Sequence, residues 1–191
     1  MVKRNQFAAF AHPESTLAKR VKHVEAQVKK NRPEMKSNAY TKVSAAVGTG
    51  AVGVWELSAL SQGEEASKRV GNVCRLYRLE VRGQVDPLLD CYIIQSKNAT
   101  VPAVANFGLG PGGFVDDDNN NFVEWKHFRV RPDQATNCPF KVVQFFRNGY
   151  TLEFAGAAGS PLRNRLYFVV RNNSGASLNY AISYKLWYTD A

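Results

Sequence analysis

Eight short segments rich in β-branched and aromatic residues run from residue 54 to the end of the chain, and this series most constrains the fold. Turn-forming residues separate the segments, and no helical pattern of about 10–15 residues intervenes. The series predicts an all-β protein. Two four-stranded sheets would form a single jelly roll, and an immunoglobulin-like sandwich is the alternative. The predicted strands are 54–60, 73–81, 88–95, 122–130, 140–147, 150–154, 165–171 and 178–188.

The connections between these segments give three further expectations. Asn148-Gly149 is typical of a two-residue β-hairpin turn. The small, Gly-rich stretch 44–53 indicates a flexible entry into the domain. The polar connection 97–121 is longer than ordinary loops, so we expect a functional surface or a short helix within it.

Positive charge is concentrated at the start of the chain. The first 42 residues hold 10 of the 25 Lys and Arg but only three acids, so they carry +7 of the total +9. The other 149 residues carry 15 bases and 13 acids. Such asymmetry is typical of an arm that binds a polyanion, and a merely solvated tail is the alternative. We therefore predict a basic nucleic-acid-binding arm at 1–42 and a jelly-roll domain at 43–191.

An amphipathic helix is predicted inside this arm, at about residues 15–30. Leu17, Val21, Val24 and Val28 recur at steps of four and three, and Ser15 suits the N-cap position. The resulting apolar seam fits either self-association of the helix or docking on a folded domain. The candidate nucleic-acid-binding residues of the arm are Lys3, Arg4, Lys19, Arg20, Lys22, Lys29, Lys30, Arg32 and Lys36.

Residues suited to catalysis or metal binding are sparse. Of the three histidines only His127 lies in the predicted domain, so a histidine cluster is missing and we predict no catalytic site. Asp116, Asp117 and Asp118 form the densest carboxylate cluster. Oxygen ligands of this kind suit a hard cation such as calcium, so they are a candidate metal site, with a solvated loop tip as the alternative.

Neither secretion nor membrane insertion is predicted. The chain begins Met-Val-Lys-Arg without the apolar segment of a signal peptide, and no apolar run approaches the roughly 18 residues that span a bilayer. Three widely spaced cysteines without a C-x-x-C pair fit reduced thiols in a cell interior. Lys-Arg and Lys-Lys pairs are of the kind that nuclear import machinery recognises, so the nucleus is a candidate location.

Two parts of the chain resemble the coat (capsid) proteins of satellite tobacco necrosis virus and of small circular single-stranded DNA (CRESS-type) viruses. In 60–83 (LSQGEEASKRVGNVCRLYRLEVRG) the shared pattern is Gln-Gly, an acidic pair, Arg-x-Gly, and a long strand ending in Val-Arg-Gly. The matched residues are Gln62, Gly63, Glu64, Glu65, Arg69, Gly71, Val81, Arg82, Gly83, Tyr184, Tyr188, Thr189, Asp190 and Ala191. The resemblance implies a jelly-roll subunit of a T=1 icosahedral shell of about 60 copies, with its arm on the genome. It also implies calcium binding, without assigning ligands in this chain.

Charge pattern and resemblance together predict a viral capsid protein, which is a structural protein and not an enzyme. The self-assembled shell would package a single-stranded genome, DNA or RNA, because a basic arm neutralises phosphates without reading bases. Its partners would be further copies of itself and the genome, with no membrane, and its location the virion after assembly inside the host cell. The alternative is a non-capsid module that binds single-stranded nucleic acid through the same arm.

Overall fold

The computed structural model describes residues 13–30, 34–38, 40–63, 68–98, 100–107, 121–129 and 138–191. The chain divides into two compact units, Met1–Pro33 and Glu34–Ala191. In the first unit helix α1 spans Pro13–Lys30, which contains the predicted helix, and Leu17, Val21 and Val24 of its apolar seam are exposed. No helix among the described residues has the length and apolar character needed to cross a membrane.

Ten antiparallel strands, all within the described residues, build the second unit as two sheets. The six-stranded sheet has the order β1-β10-β4-β7-β8, with β2 also paired to β10, and the four-stranded sheet has the order β3-β9-β5-β6. The chain passes repeatedly from one sheet to the other, so the predicted all-β jelly roll is confirmed. The strands are β1 Lys36–Ser37, β2 Thr41–Val47, β3 Val52–Glu56, β4 Val73–Val85, β5 Leu89–Ser96, β6 Phe122–Arg129, β7 Cys138–Phe154, β8 Pro161–Arg163, β9 Arg165–Asn172 and β10 Leu178–Asp190.

The two sheets enclose one large apolar core, because successive side chains of a strand point to opposite faces. Leu79 of β4 and Leu186 of β10 in the first sheet belong to the same buried cluster as Ile93 of β5 and Phe168 of β9 in the second. Full burial of each such side chain stabilises the fold by about 1.5–3 kcal/mol. The packed core therefore fixes the positions of the strands whose other side chains form the outer face of the six-stranded sheet.

The four-stranded sheet is also covered on its outer face. Tyr92 of β5 and Tyr167 of β9 belong to a second buried cluster, which includes Phe107 from the long connection after β5. The ring centroids of Tyr92 and Phe107 are 5.1 Å apart. A single 3-10 turn at Val104–Asn106 precedes Phe107, and it is the short helix expected in this connection. Strands β5 and β9 are consequently buried on both faces.

The predicted hairpin at Asn148-Gly149 is wrong, because the chain on both sides of it pairs with β4. Phe145 and Tyr150 each have a partner on β4, and β7 runs without interruption past this point. Residues 146–149 instead form a bulge in the ladder, with Gly149 at φ 75°. A bulge accommodates a left-handed glycine as readily as a turn does, so the dipeptide does not distinguish the two.

The stretch 44–53, predicted to be a flexible entry, is mostly strand. β2 pairs along β10 over its whole length, and β3 already begins at Val52. Val43 and Val47 are buried while the small residues between them are exposed. Together with β1 and β8, β2 makes one sheet six-stranded, while the other sheet has four strands. The compact unit begins at Glu34, so the predicted boundary between 42 and 43 falls inside β2.

Candidate nucleic-acid interface

A row of cations crosses four strands on the outer face of the six-stranded sheet. Lys42 of β2 is opposite Ser183 of β10, which is opposite Arg82 of β4, which is opposite Lys141 of β7. Residues directly opposite each other in antiparallel strands share a face. Like charges in that position, such as Arg82 and Lys141, destabilise a sheet. The row therefore needs a counter-charge within the fold or on a ligand.

Glu80 supplies one carboxylate among these cations, and its side chain is only 2% exposed. Its Oε2 lies 2.6 Å from Nη2 of Arg78. Its Oε1 accepts hydrogen bonds from Arg82 and, at 3.1 Å, from the Tyr40 hydroxyl. The same Oε1 lies 3.5 Å from Nζ of Lys141. Burial alone would raise the pKa of Glu80, but hydrogen bonds from Arg82 and Tyr40 and the charges of Arg82 and Lys141 lower it to about 2. One ionised carboxylate thus holds three cations in place, and because it offsets only one of their charges, the group keeps a net positive charge.

Aromatic rings are interleaved with the cations. The guanidinium carbon of Arg78 lies 4.2 Å from the ring centroid of Trp187 and 5.6 Å from that of Phe145. The guanidinium carbon of Arg82 lies 4.6 Å from the ring centroid of Tyr40. Cations are attracted to ring faces at such distances, so the rings help to hold these long side chains while their charge is retained.

We name this surface the basic-aromatic face. It includes Lys185, which is opposite Glu80 in the register and whose Nζ lies 5.2 Å from the Trp187 ring centroid. Its five cations and one carboxylate give these side chains a net charge of +4. The members of the face are Lys42, Arg78, Arg82, Lys141, Lys185, Glu80, Tyr40, Phe145 and Trp187.

The positive charge of the compact unit 34–191 is concentrated on this face. The unit contains 17 Lys and Arg against 14 Asp and Glu, a net charge of +3. Because the basic-aromatic face alone carries +4, all other residues of the unit together carry −1. A surface of one sign on an otherwise nearly neutral domain attracts ligands of the opposite sign.

Next to the cation row, small side chains leave a shallow depression in the surface of the sheet. Ser44, Ala181 and Ser183 are small, and together with Lys42 and Gln84 they line a depression of about 700 Å³. Its lining carries hydroxyl, amide and ammonium groups that can bind phosphate oxygens. A polyanion can therefore approach the strands closely next to the cations.

The predicted nucleic-acid-binding residues lie on several elements. Lys19, Arg20 and Lys22 are exposed on α1. Lys36 lies on β1, and its Nζ is 2.6 Å from Oδ2 of Asp190, so its charge is already paired within the fold. Of the remaining predicted residues, Lys29 and Lys30 end α1, whereas Lys3, Arg4 and Arg32 lie outside the described residues.

The candidate metal site also lies outside the described residues, since these do not include Asp116, Asp117 and Asp118. Calcium binding there stays a prediction. Within the described ranges no three His, Cys, Asp or Glu side chains form a group that could hold a metal ion. His127 stacks on Tyr92 with ring centroids 4.5 Å apart, which makes it a packing residue of the four-stranded sheet.

Sequence reasoning missed the basic-aromatic face, although part of its signal was present. Arg78 and Glu80 alternate near the end of the predicted strand 73–81, Arg82 follows directly after it, and alternate residues of a strand share a face. Lys141 and Trp187 join them only through the pairing of β4 with β7 and β10. That register depends on contacts between segments far apart in the chain, which the sequence does not reveal.

The fold and its face define this chain as a jelly-roll protein with one strongly cationic sheet surface. Comparison with solved structures finds viral proteins of similar architecture. A Desmodium yellow mottle tymovirus structure is 11% identical at a TM-score of 0.40, and the match covers 84% of this chain and 89% of that one. The 60-mer capsid protein of the circovirus BFDV is 7% identical at a TM-score of 0.38, with 82% and 93% covered.

A third structure, from the Gx strain of infectious bursal disease virus, is 10% identical at a TM-score of 0.36. The match covers 83% of this chain but only 32% of the longer viral chain. No protein-family model and no curated protein matches the chain. The specific resemblance to the coat proteins of satellite tobacco necrosis virus and of CRESS-type viruses therefore stays a prediction.

Proposed function

We propose that this chain is a viral capsid protein whose copies assemble into a closed shell and hold nucleic acid through the arm and the basic-aromatic face. The observation that carries the proposal is the distribution of charge. One face of the jelly roll carries +4, and the remainder of the compact unit carries −1. Copies of a nearly neutral jelly roll pack together without strong repulsion, while the cationic parts remain for the genome.

The segment that joins the arm to the domain is fixed to the sheet that carries this face. Lys36 of β1 pairs with Asp190 at the end of β10, and Asn38 Oδ1 accepts a hydrogen bond of 2.6 Å from the Leu186 backbone N–H. Tyr40 then donates to Glu80. The residues that follow the first unit in the chain are therefore held on the sheet that carries the basic-aromatic face.

The charge available in a shell suits genome packaging. Residues 1–42 carry +7, and the basic-aromatic face without Lys42 adds +3. In a T=1 shell of about 60 copies, roughly 600 positive charges would then offset several hundred phosphates, so assembly and packaging would be coupled. We propose the virion as the location of the protein, and assembly in the nucleus stays a prediction.

Packaging is tested with the full chain and with a variant in which Lys19, Arg20, Lys22, Lys29 and Lys30 are replaced by Gln. This variant keeps the apolar seam of α1 and removes five charges from the arm. We expect wild-type protein to carry nucleic acid that resists nuclease, and the variant to fold and carry markedly less. Wild-type protein without protected nucleic acid would contradict the proposed function.

The second candidate function is a non-capsid module that binds single-stranded nucleic acid. The aromatic rings on the cationic face favour it, because such modules combine a basic surface with stacking rings. Sedimentation distinguishes the two functions, since a module stays a monomer or small oligomer whereas a shell is a particle of much larger mass.

A further inference from the structure

We propose that one end of the basic-aromatic face stacks an unpaired nucleobase, so that the face prefers single-stranded nucleic acid to a duplex. This inference rests on the proposed function and specifies the partner of that face. The end in question is a cross-strand row formed by Trp187 of β10, Arg78 of β4 and Phe145 of β7. We name these three residues the stacking row.

Phe145 is 64% exposed, and it lies in the part of β7 that pairs with β4, whereas β8 pairs with β7 only at Glu153 and Phe154. An apolar ring in that position contributes almost nothing to the core, because the hydrophobic effect requires removal of surface from water. The Arg78 guanidinium lies opposite it on β4, 5.6 Å from its ring centroid, and Phe145 belongs to neither of the two buried apolar clusters. The exposed ring is therefore available to a ligand.

The geometry of the stacking row suits a planar, uncharged group next to a phosphate. The Arg78 guanidinium lies between the Trp187 and Phe145 rings, at 4.2 Å and 5.6 Å from their centroids, and Glu80 holds it at 2.6 Å. Nucleobases stack on aromatic rings and on guanidinium planes. Lys185 occupies the next row of the face, about 7 Å away along the strand, where it can meet the phosphate of the same nucleotide.

Only a base with a free face can use this row. In a duplex each base is paired and stacked between its neighbours, so its ring faces are covered, whereas a single strand presents them. Cations alone do not make this distinction, because phosphates are present in both forms. The single-strand preference therefore depends on Phe145 and Trp187, and the salt dependence on the cations.

A second copy of the chain is the rival occupant, since exposed aromatic rings are also common at protein interfaces. The basic-aromatic face carries +4, however, and a two-fold contact would bring the same cations of two copies together. Charge complementarity thus favours a polyanion over a second copy of this face.

The test compares Phe145→Ala with wild-type full chain, using a labelled oligothymidylate strand and a duplex of the same length as probes. We expect the affinity for the single strand to fall about tenfold, because one stacked base is lost. The affinity for the duplex and the salt slope should stay unchanged. Phe145→Trp keeps an aromatic ring and should retain single-strand affinity. The matched control is Leu162→Ala, which removes another exposed apolar side chain, 56% exposed on β8 of the same sheet, and should change nothing.

The other possible outcomes refute either base stacking or the proposed function. Equal losses for both probes, or no loss for either, would refute base stacking and leave the proposed function intact as long as wild-type protein binds. Loss of assembly in Phe145→Ala with full single-strand affinity would show that the stacking row is a subunit contact. Wild-type protein that binds neither probe would refute the proposed function itself.

Discussion

The cation row predicts how nucleic-acid binding depends on salt when Lys42 and Lys141 are both replaced by Gln. These residues lie at the two ends of the row, and the Lys141 side chain is 57% exposed. The double substitution leaves Arg78 and Arg82 in place on Glu80, so the buried carboxylate keeps its closest partners. The change therefore removes two charges from the surface and little from the fold.

The magnitude follows from counterion release. On a single strand each phosphate contact contributes about 0.7 to the slope of log affinity against log salt concentration. Two lost contacts should lower the slope by about 1.4. At an ionic strength of about 0.1 M, tenfold below the 1 M reference, that difference corresponds to an affinity loss of about 25-fold. The measurement is fluorescence anisotropy of a labelled single strand at several salt concentrations.

Single substitutions provide the matched control for this prediction. Lys42→Gln and Lys141→Gln should each lower the slope by about 0.7. Lys126→Gln removes one charge from β6 of the other sheet, where the side chain is exposed, and should leave the slope unchanged. A double variant with the wild-type slope, or equal effects of all three single substitutions, would refute specific phosphate contacts at the cation row.

Two further predictions concern the fold. Arg69 is fully buried, and it donates to four backbone carbonyls, those of Leu60, Gly71, Gly156 and Ala158. Arg69→Met should lower the free energy of unfolding by about 3–5 kcal/mol in urea titrations, because four backbone carbonyls lose the buried donor that they share, and a change below about 1 kcal/mol would contradict this. The second prediction concerns Glu80, whose pKa is lowered from its usual 4.5 to about 2, so its stabilisation is present above about pH 4.5 and is lost as the pH falls toward 2. Glu80→Gln should lack that part of the acid dependence, and identical pH profiles for both proteins would be inconsistent with an ionised, paired Glu80.

Most of the fold follows from local features of the sequence. Strands such as β4 and β10 combine alternating burial with β-branched and aromatic residues, so their positions are readable. The position of β2 cannot be read from the sequence, because its small residues Ser44, Ala45 and Ala46 have weak strand propensity and are held in the sheet by pairing with β10. The hairpin predicted at Asn148-Gly149 is wrong for a related reason, since a bulge and a hairpin turn can both place a glycine at positive φ.

The site was predictable only in part. The basic arm is visible as a charge count along the chain, since it needs no tertiary contact to be recognised. The basic-aromatic face depends on register, which places Lys141 next to Arg82 and Trp187 next to Arg78 from segments about 60 and 110 residues apart in the chain. Trp187 was also not predictable as part of the site. A tryptophan in an apolar strand pattern indicates core packing, and only its contact with Arg78 shows that it lies on the outer face.

The mass of the purified assembly decides between a capsid protein and a small binding module. A T=1 shell of about 60 copies of the 21.3 kDa chain has a protein mass of about 1.3 MDa, before any packaged nucleic acid is added. Sedimentation velocity of nuclease-treated wild-type protein, with electron microscopy of the same fraction, should show closed particles of at least that mass that still contain protected nucleic acid. A species of a few subunits that loses its nucleic acid to nuclease would contradict the capsid function and favour the binding module.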